Sequence, residues 1–177
     1  MPRPSPVPPQ ASIRRARPED ARAMSRLLRL TWRRAFSGLL TPSELAEVSR
    51  RFHAPAGLAE QTRQRDCFFS VAVSKAGRLL GLVTAARDGA RRVFLNRLYV
   101  RPGRQGGGLG DLLLARAWKA FPKAGTMRLE VLRDNLRARA FYRGHGFRVV
   151  GRGKMTLETR AVPLAVMEAA RPAKQLV

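Results

Sequence analysis

Leu98-Tyr99-Val100-Arg101-Pro102-Gly103-Arg104-Gln105-Gly106-Gly107-Gly108-Leu109-Gly110-Asp111-Leu112-Leu113-Leu114 decides how the rest of the chain is read. A β-prone apolar run, Val93 to Val100, enters a turn at Arg101-Pro102-Gly103, crosses a glycine cluster and gives way to a helical pattern. Strand, glycine loop and helix together build an anion site. Glycines let the main chain approach a ligand closely, and the free N–H groups of the first helical turn, with the helix dipole, favour negative charge. A phosphate-bearing ligand is expected here; the alternative is a plain surface loop.

The spacing argues against two common phosphate sites. Gly110 is followed by Asp111, so the Gly-Lys-Ser/Thr ending of a P-loop is missing. A dinucleotide-binding turn opens a βαβ unit and has an acid about 20 residues on. Glu130 stands at that distance, but too little chain follows it to complete a doubly wound sheet. Gln105-x-x-Gly108-x-Gly110 instead resembles the Gln/Arg-x-x-Gly-x-Gly/Ala signature of the GNAT superfamily, the acetyl-CoA-dependent N-acetyltransferases. A second stretch, Asn135-x-x-Ala138-x-x-Phe141-Tyr142-x-x-x-Gly146-Phe147, is similar to that family's Asn-x-x-Ala-x-x-Phe-Tyr pattern closing at Gly-Phe. Two motifs in the right order, one helix and one strand apart, are far more specific than either alone.

Outward from the glycine loop, the pattern is mixed α/β. Ser12 to Ala16 reads as a short strand, and Pro18-Glu19-Asp20 opens a helix with proline early and acids in its first turn. Met24, Leu27, Leu28, Trp32, Ala35 and Phe36 form its apolar stripe, with Arg22, Arg26, Arg29 and Arg33 facing out. Thr41-Pro42-Ser43-Glu44 is a capping box for a second helix carrying Leu45, Val48 and Phe52. The alanine-rich stretch 54–65 reads either as loop or as a further turn or two of helix. Phe68 to Ser74, Leu79 to Ala86 and Arg92 to Val100 make a meander, its second turn marked by Asp88-Gly89. Leu114, Trp118 and Phe121 continue the helix after the loop, and Met127 to Leu132 alternates as a strand. Asp134 or Asn135 caps a helix reaching Arg143; Phe147 to Val150 and Val162 to Met167 finish the sheet. This order matches the fold that the resemblance implies: a mixed, mostly antiparallel six- to seven-stranded sheet, about four helices, and a splayed strand pair at the acetyl-CoA site. One domain is expected over 11–169, between a disordered Pro-rich tail (1–10) and a C-terminal tail (170–177).

Of 177 residues 35 are basic and 12 acidic, a formal charge of +23, and only Lys75, Lys119, Lys123, Lys154 and Lys174 among the basic residues are lysine. The arginines are spread along the chain, and no compact basic, aromatic-interleaved RNA-binding signature is present. The charge therefore predicts non-specific nucleic-acid binding at most. A lone cysteine, Cys67, rules out an internal disulfide and reads as a buried structural thiol, and His53 and His145 are too few and too isolated for a metal site. With no signal-peptide core and no long apolar run, the chain is expected to be cytoplasmic, off the membrane, and a monomer or homodimer.

The resemblance also implies roles. The amides of Gln105, Gly106, Gly107, Gly108, Leu109 and Gly110 would cup the coenzyme A pyrophosphate, and Arg104 would add charge at the rim. The strand at Leu98 to Val100 would carry a β-bulge, its main chain offering N–H groups to the thioester and pantetheine while both side chains stay in the core. Tyr142 would be the general acid for the departing thiolate, since a phenol of pKa about 10 is protonated at neutral pH; the alternative is a packing tyrosine. Asn135 caps its helix and is a candidate cofactor contact. Many relatives carry a carboxylate on the strand before the loop, but here that segment reads Phe94-Leu95-Asn96-Arg97. Glu130 is the nearest acid for the general base, against an ion pair with an arginine; His53 and an ordered water are the other options. Asp111 should point away from the ligand.

The expected activity is transfer of an acetyl group from acetyl-CoA to a primary amine, the acceptor being a small molecule or peptide. Two alternatives stand beside it: an inactive acyl-CoA-binding module and a basic nucleic-acid-associated protein on the same fold. Trp32 to Leu40 and Arg152 to Pro163 would shape the acceptor site, and the arginine-rich surface argues against a polycationic acceptor.

Overall fold

Seven strands form one sheet in the order β1-β2-β3-β4-β5-β7-β6 in a computed structural model that describes residues 11–173. The Pro-rich segment 1–10 and residues 174–177 lie outside the described residues. The strands are β1 (Ala11–Arg15), β2 (Cys67–Ser74), β3 (Leu79–Arg87), β4 (Arg92–Val100), β5 (Thr126–Leu132), β6 (Arg148–Thr156) and β7 (Ala161–Ala170). Neighbours pair antiparallel except β4 and β5, which run parallel because helix α4 (Leu109–Ala120) crosses between them. The last two strands are longer than the sequence pattern suggested, and β7 accommodates Pro163. Beyond β7, Arg171 donates from Nε to Ala124 O at 2.7 Å and stacks over Trp118, tying the exit of β7 to the end of α4.

Helices cover both faces. On one lie α1 (Ala21–Phe36), α2 (Pro42–Phe52) and α3 (Pro55–Arg63); the stretch 54–65 is therefore largely helical, started by Pro55 in the first helical position. Met24, Leu27 and Leu28 of α1 are fully buried against Phe69, Val71 and Leu82. Each such side chain removed from water contributes about 1.5–3 kcal/mol. Arg22, Arg26, Arg29 and Arg33 face solvent as the spacing requires, but Ala35 is exposed, and Pro18–Asp20 form a separate 3-10 turn ahead of α1. On the other face α4 and α5 (Leu136–Gly144) bury Leu113, Leu114, Trp118 and Tyr142 against Val83, Leu95, Met127 and Leu129. No helix among the described residues is long and apolar enough to cross a membrane.

The sheet opens in its middle. β4 pairs β5 only from Arg92↔Thr126 to Leu95↔Leu129; beyond that β4 stays on β3 while β5 stays on β7. A bulge causes the parting. Thr84 of β3 faces Arg97 and Ala85 faces Leu95, so Asn96 is an extra residue in β4. The bulge thus falls at Asn96, ahead of the Leu98–Val100 stretch expected to hold it. Its effect shows in the side chains. Val93 and Leu95 point to the α4–α5 core before it, Leu98 and Val100 after it, an odd-to-even switch that one inserted residue produces.

Candidate active site

Two clefts meet at this opening. Both are walled by Leu98, Tyr99, Phe36, Asn135, Ala138 and Tyr142, and they measure about 730 and 720 Å³. Leu98 and Val100 pack against the α4–α5 core and are part-exposed at the opening. Because Arg101 N–H donates to Leu80 O of β3 at 2.7 Å, alternation turns the N–H and C=O groups of Val100 and Leu98 away from β3, into the gap. Gln105 Nε2 takes up the Val100 carbonyl at 3.2 Å and leaves the two N–H groups.

The second cleft runs from the gap to the glycine loop. Gly108 is the N-cap of α4 with φ +78°, a left-handed conformation that a β-branched residue resists. Gly110, the second residue of α4, lets the Phe141 ring approach; a Cβ there would stand 3.3 Å from it. From Gln105 to Gly110 no amide donates a hydrogen bond to another described residue. Free N–H groups in the loop and first turn of a helix can form a cradle for an anion. Gln105, Gly106, Gly108, Gly110 and Asn135 line the cleft, whereas Gly107 and Arg104 stand outside its wall in solvent and the Leu109 side chain is buried in the core. The rim cations are Arg34 and Arg137, which the loop signature does not include. Asp111 also borders this cleft, but its Oδ1 is held by His145 Nε2 at 2.9 Å.

Tyr142, 9% exposed, sits where the clefts join. Burial pushes its phenol well above the ordinary 10, so it stays protonated. Its hydroxyl bonds no other described residue, although its ring packs edge-on to Phe141 and Phe147. Asn135 Oδ1 accepts from Ala138 N at 3.1 Å, which makes Asn135 rather than Asp134 the cap that aims α5 and Tyr142 at the gap.

The first cleft lies toward α1–α3. Glu130 is on its wall, on the part of β5 that has left β4; it is exposed, in no ion pair among the described residues, and its Oε1 lies over Gly153. Trp32, Phe36, Phe52 and Lys154 to Thr156 contribute as well. Cys67 is half-buried on this wall rather than in the core, its thiol pushed up by burial. His53 is 2% exposed, and burial, with the Arg97 and Arg29 charges, pulls it down to about 3. It is neutral at physiological pH and a weak base. Arg97, to which the sequence motifs assign no role, lines this cleft with it.

The sequence profile described as the acetyltransferase (GNAT) family matches residues 24–147. Among curated proteins, the "Probable N-acetyltransferase Rv2775" of Mycobacterium tuberculosis is 28% identical over 147 residues, 82% of this chain and 84% of that one. Among solved structures, the PaiA N-acetyltransferase of Thermoplasma acidophilum in complex with coenzyme A superposes with TM-score 0.78 at 23% identity, over 91% of this chain and 99% of that one. Ard1 of Thermoplasma volcanium superposes with TM-score 0.70 at 18% identity, over 91% and 97%. At these identities the structural likeness speaks to the fold.

Proposed function

Because the chain belongs to the GNAT family of acetyltransferases, we propose that it moves an acetyl group from acetyl-CoA to a primary amine by direct attack of the amine on the thioester, where the two clefts meet. The free amides along the second cleft, leading to a protonated Tyr142, carry this reading. Acetyl-CoA supplies the activated acetyl group; the chain supplies position, donors and proton transfer.

Amides of Gln105 to Gly110 hold the pyrophosphate, with Arg34 and Arg137 adding charge at the rim. The outward N–H groups of Leu98 and Val100 meet the pantetheine and the charge that develops on the thioester oxygen. Tyr142 donates its proton to the sulfur as the C–S bond breaks. Glu130, across the gap, takes the proton that the amine must lose, directly or through water. The N–C bond forms as the C–S bond breaks, and coenzyme A leaves as the thiol. His53 is too weak a base to serve in that place.

The test is calorimetric titration with acetyl-CoA, followed by free-thiol release over a panel of primary amines. Saturable binding with amine-dependent thiol release is expected. Binding without release for any amine would leave only an acyl-CoA-binding module; no binding would remove the reading entirely.

A further inference from the structure

The first cleft holds an unusual set of polar atoms. Thr84 is 1% exposed and His53 2%, yet Thr84 Oγ1 and His53 Nδ1 are both buried without a hydrogen-bond partner among the described residues. Both residues wall the same cleft. Buried polar groups are normally paired, and leaving one unpaired costs about 1–3 kcal/mol. Two together mark a place that a polar ligand completes. A threonine hydroxyl and a neutral imidazole can each donate once.

Arg97 gives that place a sign. Its Nη1 donates to Gln61 Oε1 at 2.8 Å and its Nη2 to Phe52 O at 3.0 Å, both uncharged, and among the described residues it has no carboxylate partner. Two of its five donors are occupied, and the charge itself is not neutralised. Burial disfavours the charged form, yet guanidinium remains protonated throughout the physiological range. Lys154 adds a second cation on the wall, while Arg51 is already paired with Glu47. The one carboxylate lining the cleft, Glu130, stands on the opposite strand of the opening. An anion bound at Arg97 thus lies across the gap from the group that deprotonates the amine.

We propose that the acceptor is a zwitterionic amine of the α-amino-acid class, its carboxylate held by Arg97 with the Thr84 and His53 donors, and its amino group turned toward Glu130 and Tyr142. The proposal rests on the acetyltransferase reading above and adds the substrate class. It also gives a reason why a donor-lined, cationic cleft would reject a polyamine, whose charges have only Glu130 to meet.

The experiment compares matched acceptors in the thiol-release assay: the common L-amino acids against their decarboxylated amines, such as phenylalanine with 2-phenylethylamine and leucine with 3-methylbutylamine. At least one amino acid should exceed its amine partner about 10- to 100-fold in kcat/KM, the size of a charge-assisted pairing. Arg97→Gln should remove most of that preference by raising KM for the acid while KM for the amine does not rise, with Arg97→Lys restoring part of it. Thr84→Val, which removes a hydroxyl without a partner, should keep the melting temperature and raise KM for the amino acid alone. Acetyl-CoA affinity is measured in parallel and should not change in any variant. Bare amines matching or exceeding the acids would overturn the proposal, as would equal losses on both series. So would a panel in which no amino acid turns over or binds while acetyl-CoA still does; the acetyltransferase reading would survive that result. Failure to bind acetyl-CoA would instead take down both.

Discussion

On the α4–α5 side of β4 the site is made of main chain, and on the α1–α3 side it is made of side chains. The proposed anion cradle is one continuous run, Gln105 to Gly110, whose donors are amides and whose shape is set by glycine conformation. The opposite cleft draws Trp32, His53, Thr84, Arg97, Glu130 and Lys154 from six separate segments. A cradle of amides tolerates change in most of its side chains, but not a change of backbone conformation. A cleft of side chains keeps its fold through substitution and changes what it accepts. One part can thus stay constant while the other varies with the substrate.

The largest expected effect lies where the two regions join. Tyr142→Phe should lower the single-turnover rate by about 10²- to 10⁴-fold, the worth of acid catalysis, with acetyl-CoA affinity unchanged because the ring still packs. A rate within about twofold of wild type would make Tyr142 a packing residue and leave coenzyme A departing as the bare thiolate. Glu130→Gln should also slow the step; an unaltered rate would move base duty to water.

Next in size is the main-chain side. Gly108→Val places a β-branched residue at φ +78° and swings the neighbouring amides out of line. Acetyl-CoA should then bind about 100-fold more weakly, equivalent to two lost charge-assisted hydrogen bonds. Undiminished affinity would show that the loop is not the cradle.

The smallest effect tests how the side-chain cleft is held. The carboxylate of Glu44 on α2 accepts from Arg160 Nε at 2.7 Å, from Thr41 N at 2.8 Å and from Thr159 Oγ1 at 3.0 Å, pinning α2 to the β6–β7 turn. These partners, Arg160 foremost, hold its pKa at about 2 instead of 4.5. A lowered folded-state value means stability that is present above 4.5 and lost as pH falls toward 2. Glu44→Gln should therefore melt lower than wild type at pH 7, with the gap closing across that window. A gap independent of pH would show that Glu44 acts through packing alone.

Much of this was legible in sequence wherever the cause is local. The capping box at Thr41-Pro42-Ser43-Glu44 is present as read, with Thr41 Oγ1 accepting Glu44 N and Glu44 Oε2 accepting Thr41 N. The glycine loop and the Asn135 cap follow for the same reason: each is set by residues within four positions of one another. That Glu44 also binds Arg160, 116 residues away, carries no local signal. The bulge was expected two residues too late because its position depends on the register with β3, not on the residue type at Asn96. Arg97 carries no local signal among so many arginines; only its neutral partners set it apart.

By itself the sequence determined the strand-loop-helix cradle, the helix starts and the alternating faces, because glycine conformation, capping and side-chain periodicity act over a few residues. Only the tertiary structure decided where β4 leaves β5, which cations border the cradle, and which buried donors are left without partners. Those depend on strand register and on side chains meeting from distant segments, where each contact exists only because the whole sheet has closed around it.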